Sequence, residues 1–187
     1  NSEVTIARAA ITVSYPANFQ LVAATNPCPC GYVTDPNNDC SCSPQSIQKY
    51  MSRISGPLLD RIDLHVDVPA VPFADLSEKP PGEKSDKIRN RVERARRIQS
   101  ERFKAVDGVY ANAHMETKEI KRFCGMNAEG QSLLNSAMEK LGLSARAYDR
   151  ILKVSRTVSD LAGEPEILSP HLAEAIQYRS LDRQLWL

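Results

Sequence analysis

Two patterns of apolar residues divide the chain. Up to about residue 76 they come in short alternating or continuous runs of strand type, and from about residue 84 they recur at helical spacing. Residues 3–13, EVTIARAAITV, are rich in β-branched residues with near-alternating polarity and predict a hairpin or strand pair, followed by a turn at Tyr15-Pro16-Ala17-Asn18. Residues 19–25, FQLVAAT, form a mostly apolar run of the kind a buried parallel strand shows. It stops at Asn26-Pro27, and an irregular stretch of Cys, Pro, Asp and Asn leads to Ser43. Ser43-Pro44 reads as a helix cap and first turn; the helix it opens breaks at Gly56-Pro57. A short turn at LLDRI precedes DLHVDV, residues 63–68, whose alternation predicts a strand with one wetter face.

Residues 69–84 hold a Pro-Pro-Gly and are the best linker candidate. Helices follow. Ser85 is expected to cap one running to about Ala105, with Ile88, Val92, Ala95 and Ile98 near one stripe. Thr117 opens a short helix. Asn127 caps another, stopped by Gly142, and Ser144 caps ARAYDRILKVSRTVSDLA, stopped by Gly163. Ser169-Pro170 opens the last helix, through about Tyr178. No internal repeat is visible.

Composition narrows the classes. With 187 residues, 42% hydrophobic and 25% charged, the chain suits one ordinary globular domain or two small ones. A formal net charge of +1 gives no sign of a globally basic nucleic-acid binder or an acidic tail. No apolar run approaches the roughly 18 residues of a membrane span. None of the eight glycines belongs to a phosphate-cradling G-x-x-x-x-G-K-[ST] loop or a G-x-G-x-x-G turn.

Three polar positions stand out. Asn26, at the carboxyl edge of a predicted buried strand, sits where open α/β sheets bind ligands, and its amide suits a water or a phosphate oxygen; the plainer reading is a turn residue before Pro27. Arg61, between a short apolar turn and a strand, is placed at an exposed corner and carries the side chain best suited to spread phosphate charge; the plainer reading is a surface ion pair with Asp60 or Asp63. Arg146 lies in the first turn of a helix, where an anion would meet both the amide dipole and the guanidinium, unless it belongs to a solvated cationic face with Arg150.

Four of the five cysteines, Cys28, Cys30, Cys40 and Cys42, fall within 15 residues as two C-x-C pairs. Four thiolates satisfy tetrahedral zinc, although two to four intervening residues are the commoner pair spacing. Zinc, free thiols and a disulfide all remain open on spacing alone. Cys124 reads as a small buried hydrophobe, and His65 and His171 as structural. Between Glu83 and Lys104 nine basic residues face four acidic ones, a local net of +5 against −4 for the remainder. Arg89, Arg96 and Arg97 are the nucleic-acid candidates there, against the reading of a solvated helix laced by i,i+4 pairs. With no aromatic residue before Phe103, base stacking on this face is not expected.

The stretches FQLVAATNPCPCGY, ISGPLLDRIDLHVDVP and LSARAYDRILKVSRTVSDL, the last followed by HLAEAIQYRSLDR, together resemble the magnesium-chelatase-related AAA+ ATPases, in their competence-associated, ComM-type branch. The resemblance covers nearly the whole chain, with the motifs in order. It implies an α/β fragment of an AAA+ core followed by an all-α helical lid. Residues 1–76 would be the C-terminal part of the core, 77–84 a linker and 85–187 the lid. Residues 3–15 would be the hairpin before sensor 1, pointing to a central pore. Asn26 would be sensor 1 beside the γ-phosphate, Arg61 the arginine finger reaching a neighbouring subunit's ATP, Asp60 a shaper of that contact, and Arg146 the sensor-2 arginine acting in its own subunit.

The resemblance further implies ATP and Mg²⁺ as cofactors, self-association in a hexameric ring, DNA as partner and a cytoplasmic location away from membranes. Any metal on the cysteines would be structural. The Walker A lysine and Walker B acids are absent from these 187 residues. They are expected upstream, so that a chain opening at Asn1 reads as a fragment, inactive as an ATPase by itself, whose parent is an ATPase and possibly a branch-migration helicase. Two rival readings are a chelatase motor inserting Mg²⁺ into a porphyrin and a non-enzymatic zinc and nucleic-acid binding module.

Overall fold

A computed structural model describes residues 3–69, 71 and 82–179. The chain divides into two compact units, Asn1–Ile47 and Gln48–Leu187. Most of the predicted linker, residues 77–81, and the last eight residues of the predicted lid, 180–187, lie outside the described residues.

The first unit opens with an antiparallel hairpin, β1 (Glu3–Arg8) and β2 (Ile11–Pro16), closed by Ala9-Ala10. Its register places Val4 opposite Tyr15 and Ile6 opposite Val13 on one face, while Thr5 and Ser14 face each other on the other and share a 2.7 Å hydroxyl hydrogen bond. Residues 17–43 carry no helix or strand. The predicted helix after Ser43-Pro44 forms as α1 (Pro44–Met51), and Ser43 Oγ accepts the Ser46 N–H at 3.3 Å.

The two single strands expected at 19–25 and 63–68 do not form. A continuous apolar run signals burial between layers but cannot supply them, and a strand needs a neighbour for its N–H and C=O groups. Among the described residues neither segment pairs with a strand, the 63–68 segment making one backbone bond, His65 N–H to Tyr178 C=O at 2.9 Å, and Phe19, Val22 and Val68 are 75%, 83% and 81% exposed. Among the described residues up to 71 the strand content of the expected α/β architecture is therefore one hairpin, beside α1 and a short helix at 56–59, and the described residues are mostly helical.

The second unit holds α2 (Gly56–Leu59), α3 (Ser85–Arg102), a 3-10 turn (Asn112–His114), α4 (Thr117–Phe123), α5 (Ala128–Leu141), α6 (Ala145–Ala162) and α7 (Ser169–Gln177). Local signals set most of these ends. Asn127 accepts the Gly130 N–H at 2.8 Å, Ser144 accepts the Ala147 N–H at 3.1 Å, and Gly142 and Gly163 close their helices with φ of +60° and +82°. His171 has the structural role expected of it: its Nδ1 accepts the Leu168 N–H at 3.1 Å at the start of α7. Two details differ from expectation. Ser85 is the first residue of α3 rather than its cap, and the helix stops at Arg102 because Phe103 turns into the core.

That core joins Phe103, Met115, Ile120, Cys124, Leu134, Ile151, Leu152, Ile167 and Leu172. Phe103 and Phe123 meet edge to face at 5.5 Å. Cys124 is buried there as expected, and burial pushes its thiol up to about 11. Of the stripe predicted on α3, Ala95 is buried whereas Ile88 and Val92 are 42% and 45% exposed, so only the C-terminal half of that helix packs on the bundle.

Candidate functional site

The residues singled out above fall in different units, and each set is described within its own. In the second unit the turn α2 starts at Gly56-Pro57, where the fixed φ of proline suits a first helical turn. Buried Leu59 anchors it. Asp60 N–H returns to Gly56 C=O at 2.8 Å and Arg61 N–H to Leu58 C=O at 2.9 Å, which sets Arg61 exposed at the end of the turn. Its guanidinium Nη1 donates to Pro57 C=O at 2.5 Å.

Neither acid suggested as an ion-pair partner for Arg61 engages it. Asp63 pairs with Arg150. Asp60 accepts the Ser144 hydroxyl at 2.9 Å and Arg146 Nη1 at 3.3 Å, with Arg179 Nη2 at 3.6 Å. Ser144 thus caps α6 with its oxygen and donates its proton to Asp60, so the α2 turn and the start of α6 are joined at one carboxylate. Beside it opens a cleft of about 180 Å³ lined by Gly56, Leu59, Asp60, Leu143 and Ser144. The Arg146 side chain is 53% exposed, so its pair with Asp60 is worth at most about 1 kcal/mol, and an anion at this helix start competes for it readily. Ser144→Ala removes both the cap and the donor to Asp60. It is expected to cost about 1 kcal/mol in urea unfolding followed by circular dichroism; unchanged stability would count against this role.

In the first unit Asn26 is exposed, just before the cysteine loop. The thiols of Cys28, Cys30, Cys40 and Cys42 lie within 4.8 Å of one another. The Cys28–Cys30, Cys30–Cys40 and Cys28–Cys40 Sγ separations are 3.4, 3.5 and 3.8 Å, and all four cysteines are free thiols. A zinc–sulfur distance of about 2.3 Å implies a tetrahedron edge of about 3.8 Å, so the four sulfurs fit the ion.

Backbone amides point at two of the sulfurs. Gly31, at φ +89°, donates its N–H to Cys28 Sγ at 3.2 Å, and the Tyr32 backbone amide holds the Cys30 thiol down at about 6. At Cys42 the Cys30 backbone also favours the anion, but desolvation and the neighbouring sulfurs outweigh it and the thiol is pushed up to about 12. Four thiolates this close repel one another, and a divalent cation among them removes that penalty.

On the basic helix α3, Arg91 forms a two-pronged pair with Glu83 at 3.0 and 3.1 Å, Arg94 donates to Leu161 C=O, and Arg97 lies 3.9 Å from Glu93. Arg102 turns inward and leaves the cationic face altogether. Of the three nucleic-acid candidates, Arg89 and Arg96 are exposed with no ion-pair partner among the described residues, while Arg97 is exposed but shared with Glu93.

The sequence argument did not anticipate the Asp60–Ser144–Arg146 junction, whose partners are 84 and 86 residues apart, nor a buried network around Asp160. The one sequence signal that would have pointed to that network is the i,i+4 spacing of Arg156 and Asp160.

Comparison with known proteins identifies the family. The family described as magnesium chelatase, subunit ChlI C-terminal, matches residues 82–179, and that described as magnesium chelatase, subunit ChlI, matches residues 1–76. The chain belongs to the magnesium chelatase ChlI family. Within the family it is 47% identical over 186 residues to the competence protein ComM of Haemophilus influenzae, covering 99% of this chain and 35% of that protein. It is 39% identical over 186 residues to the protein YifB of Escherichia coli, again 99% of this chain and 35% of the relative. A Mycobacterium tuberculosis relative is 34% identical over 179 residues, 96% of this chain and 35% of its own length. The chain thus spans about a third of the length of the curated relatives it matches. Among the described residues no helix is long and apolar enough to cross a membrane.

Proposed function

We propose that these 187 residues are the nucleotide-sensing part of a longer, ring-forming ATPase that remodels DNA in the cytoplasm. In this reading residues 1–76 end an AAA+ core, 77–84 link it onward, and 85–187 form the lid. The segments 19–25 and 63–68 become strands when flanking core strands pair with them. Asn26 orients the water that attacks the γ-phosphate, Arg61 reaches the ATP of the adjacent subunit, and Arg146 holds phosphate at the start of α6. ATP and Mg²⁺ supply the phosphoryl group and its charge neutralisation; the protein's part is positioning and electrostatic stabilisation.

The observation that carries the reading is the junction at Asp60. One carboxylate ties the turn bearing Arg61 to the helix start bearing Arg146, so a phosphate drawn to Arg146 is felt next to Arg61. Asp60 shapes the subunit contact through the same bonds. DNA as the remodelled partner is supported by the relative described as a competence protein and by exposed Arg89 and Arg96 on α3. The cysteine cluster carries a structural zinc and takes no part in the chemistry.

The test is ATP hydrolysis by the intact protein with and without single-stranded and forked DNA. Stimulation by DNA is expected; DNA-independent hydrolysis that responds to a porphyrin and chelatase partner subunits would overturn the DNA reading in favour of a chelatase motor. The 187-residue chain alone, which has no P-loop, is expected to show no hydrolysis above a no-protein control, and measurable turnover in a clean preparation would contradict the division of labour proposed here.

A further inference from the structure

Among the described residues of the first unit, one side chain is fully buried: Cys28, at 0% exposure. Pro27, Cys30, Gly31, Cys40 and Cys42 are half-buried, whereas the hairpin's Val4, Ile6, Val13 and Tyr15 all stand in solvent. A unit of this size normally folds around apolar side chains, and where it cannot, a metal or disulfides supply the missing cohesion. Here the sulfur cluster occupies the place of a core.

Asn26 is attached directly to that cluster. It precedes Cys28 by two residues, and its side-chain Nδ2 lies 3.9 Å from where a Cβ would stand on Gly31. Gly31 in turn donates its N–H to Cys28 C=O at 3.0 Å and Cys28 Sγ at 3.2 Å. The +89° φ that allows both bonds is one that residues with a side chain rarely adopt. Asn26 therefore stands beside a turn whose shape is set by the atoms that would ligate the metal. Beyond this turn, residues 17–43 have no helix or strand to hold them.

We propose that Zn²⁺ bound by Cys28, Cys30, Cys40 and Cys42 positions Asn26, so that metal occupancy decides whether this amide is presented in one orientation. The inference rests on the zinc reading above and adds that Asn26 depends on it. Metal binding to a loop without other cohesion supplies its folding free energy, and the amide donors around the thiolates set the ligand geometry.

The 187-residue chain is purified without chelator, its zinc measured by mass spectrometry, then stripped and reloaded with Co²⁺. One equivalent of zinc is expected, together with the ligand-field and sulfur-to-cobalt bands of a tetrahedral tetrathiolate site. Less than a tenth of an equivalent and no such spectrum would overturn the zinc reading, and the positioning with it. Independently, the Asn26 side-chain amide signals, assigned by their loss in Asn26→Asp, are followed by NMR in the zinc-loaded and stripped chain. They are expected to move to random-coil positions on stripping while the signals of α3–α7 stay in place. Unmoved Asn26 signals in a chain that does bind metal would overturn the positioning alone.

Two variants complete the test. Gly31→Ala keeps all four thiols but strains the turn, and is expected to retain zinc about 10- to 100-fold more weakly; unchanged affinity would count against the turn as the link. Cys124→Ser is expected to keep one equivalent of zinc, and loss of metal there would overturn the ligand assignment.

Discussion

Arg61→Ala in the intact protein is expected to lower kcat for ATP hydrolysis by about 10³- to 10⁵-fold, the range an arginine finger contributes to phosphoryl transfer. The expectation depends on what Arg61 does not do within its own chain. Its two neighbouring acids are occupied, Asp60 by Ser144 and Arg146 and Asp63 by Arg150, so that among the described residues its guanidinium has one bond, to Pro57 C=O. The side chain is exposed, and its removal should leave unfolding free energy within about 0.5 kcal/mol of the parent. A loss of turnover without loss of stability is the signature sought. Arg61→Lys keeps the charge but not the planar fork, and should recover little of the rate. Mixing wild-type with Arg61→Ala subunits should depress turnover more than in proportion under the proposed assignment, in which each arginine serves a neighbour's site. Turnover within threefold of wild type in Arg61→Ala would sink the assignment.

Asp160→Ala is expected to destabilise the helical unit by about 3–5 kcal/mol, read from urea unfolding of the 187-residue chain by far-UV circular dichroism. Asp160 has no exposed surface. Its carboxylate accepts Arg102 Nη1 at 2.7 Å, Asn112 Nδ2 at 2.8 Å and Arg156 Nε at 3.2 Å, with a second short bond from Arg102. Arg156, 3% exposed, spends its other donors on Glu164 C=O and Pro165 C=O, both at 2.8 Å, and on the Ser159 hydroxyl. One carboxylate thus ties α3, the Asn112–His114 turn and the C-terminal end of α6, and it neutralises two guanidinium groups taken largely out of water. Removing it leaves those cations uncompensated, which costs far more than the loss of any one hydrogen bond. Asp160→Asn, which keeps the shape and loses the charge, should fall between. A change below about 1 kcal/mol in Asp160→Ala would show that water reaches these arginines.

The helix ends were legible in the sequence because their causes are local. An Asn or Ser accepting an N–H three residues on, and a glycine free to take a positive φ, act within one turn, and Asn127, Ser144, Gly142 and Gly163 do so here. The hairpin was legible for the same reason, since its two strands adjoin. The strands expected at 19–25 and 63–68 do not form in this chain because a strand's hydrogen bonds lie outside itself, and composition cannot say whether a neighbour is present. The basic helix shows an intermediate case. The nine cations of residues 83–104, seven of them on the helix, could be counted, but that Arg102 is a member of a partly buried network rather than a surface charge depends on Asp160, 58 residues away.

By itself, then, the sequence determined whatever is settled within a few residues: caps, stops, the hairpin, the C-x-C spacings, and the literal motifs that place the chain in the magnesium chelatase ChlI family. The tertiary structure alone decided which distant groups meet. It brought two C-x-C pairs, nine residues apart, to within 4.8 Å, set Asp60 against Ser144 and Arg146, and enclosed Asp160 among arginines. The physical reason is range. Propensities and caps act through covalent neighbours, whereas ion pairs, metal ligation and burial depend on distances in space that chain separation does not specify.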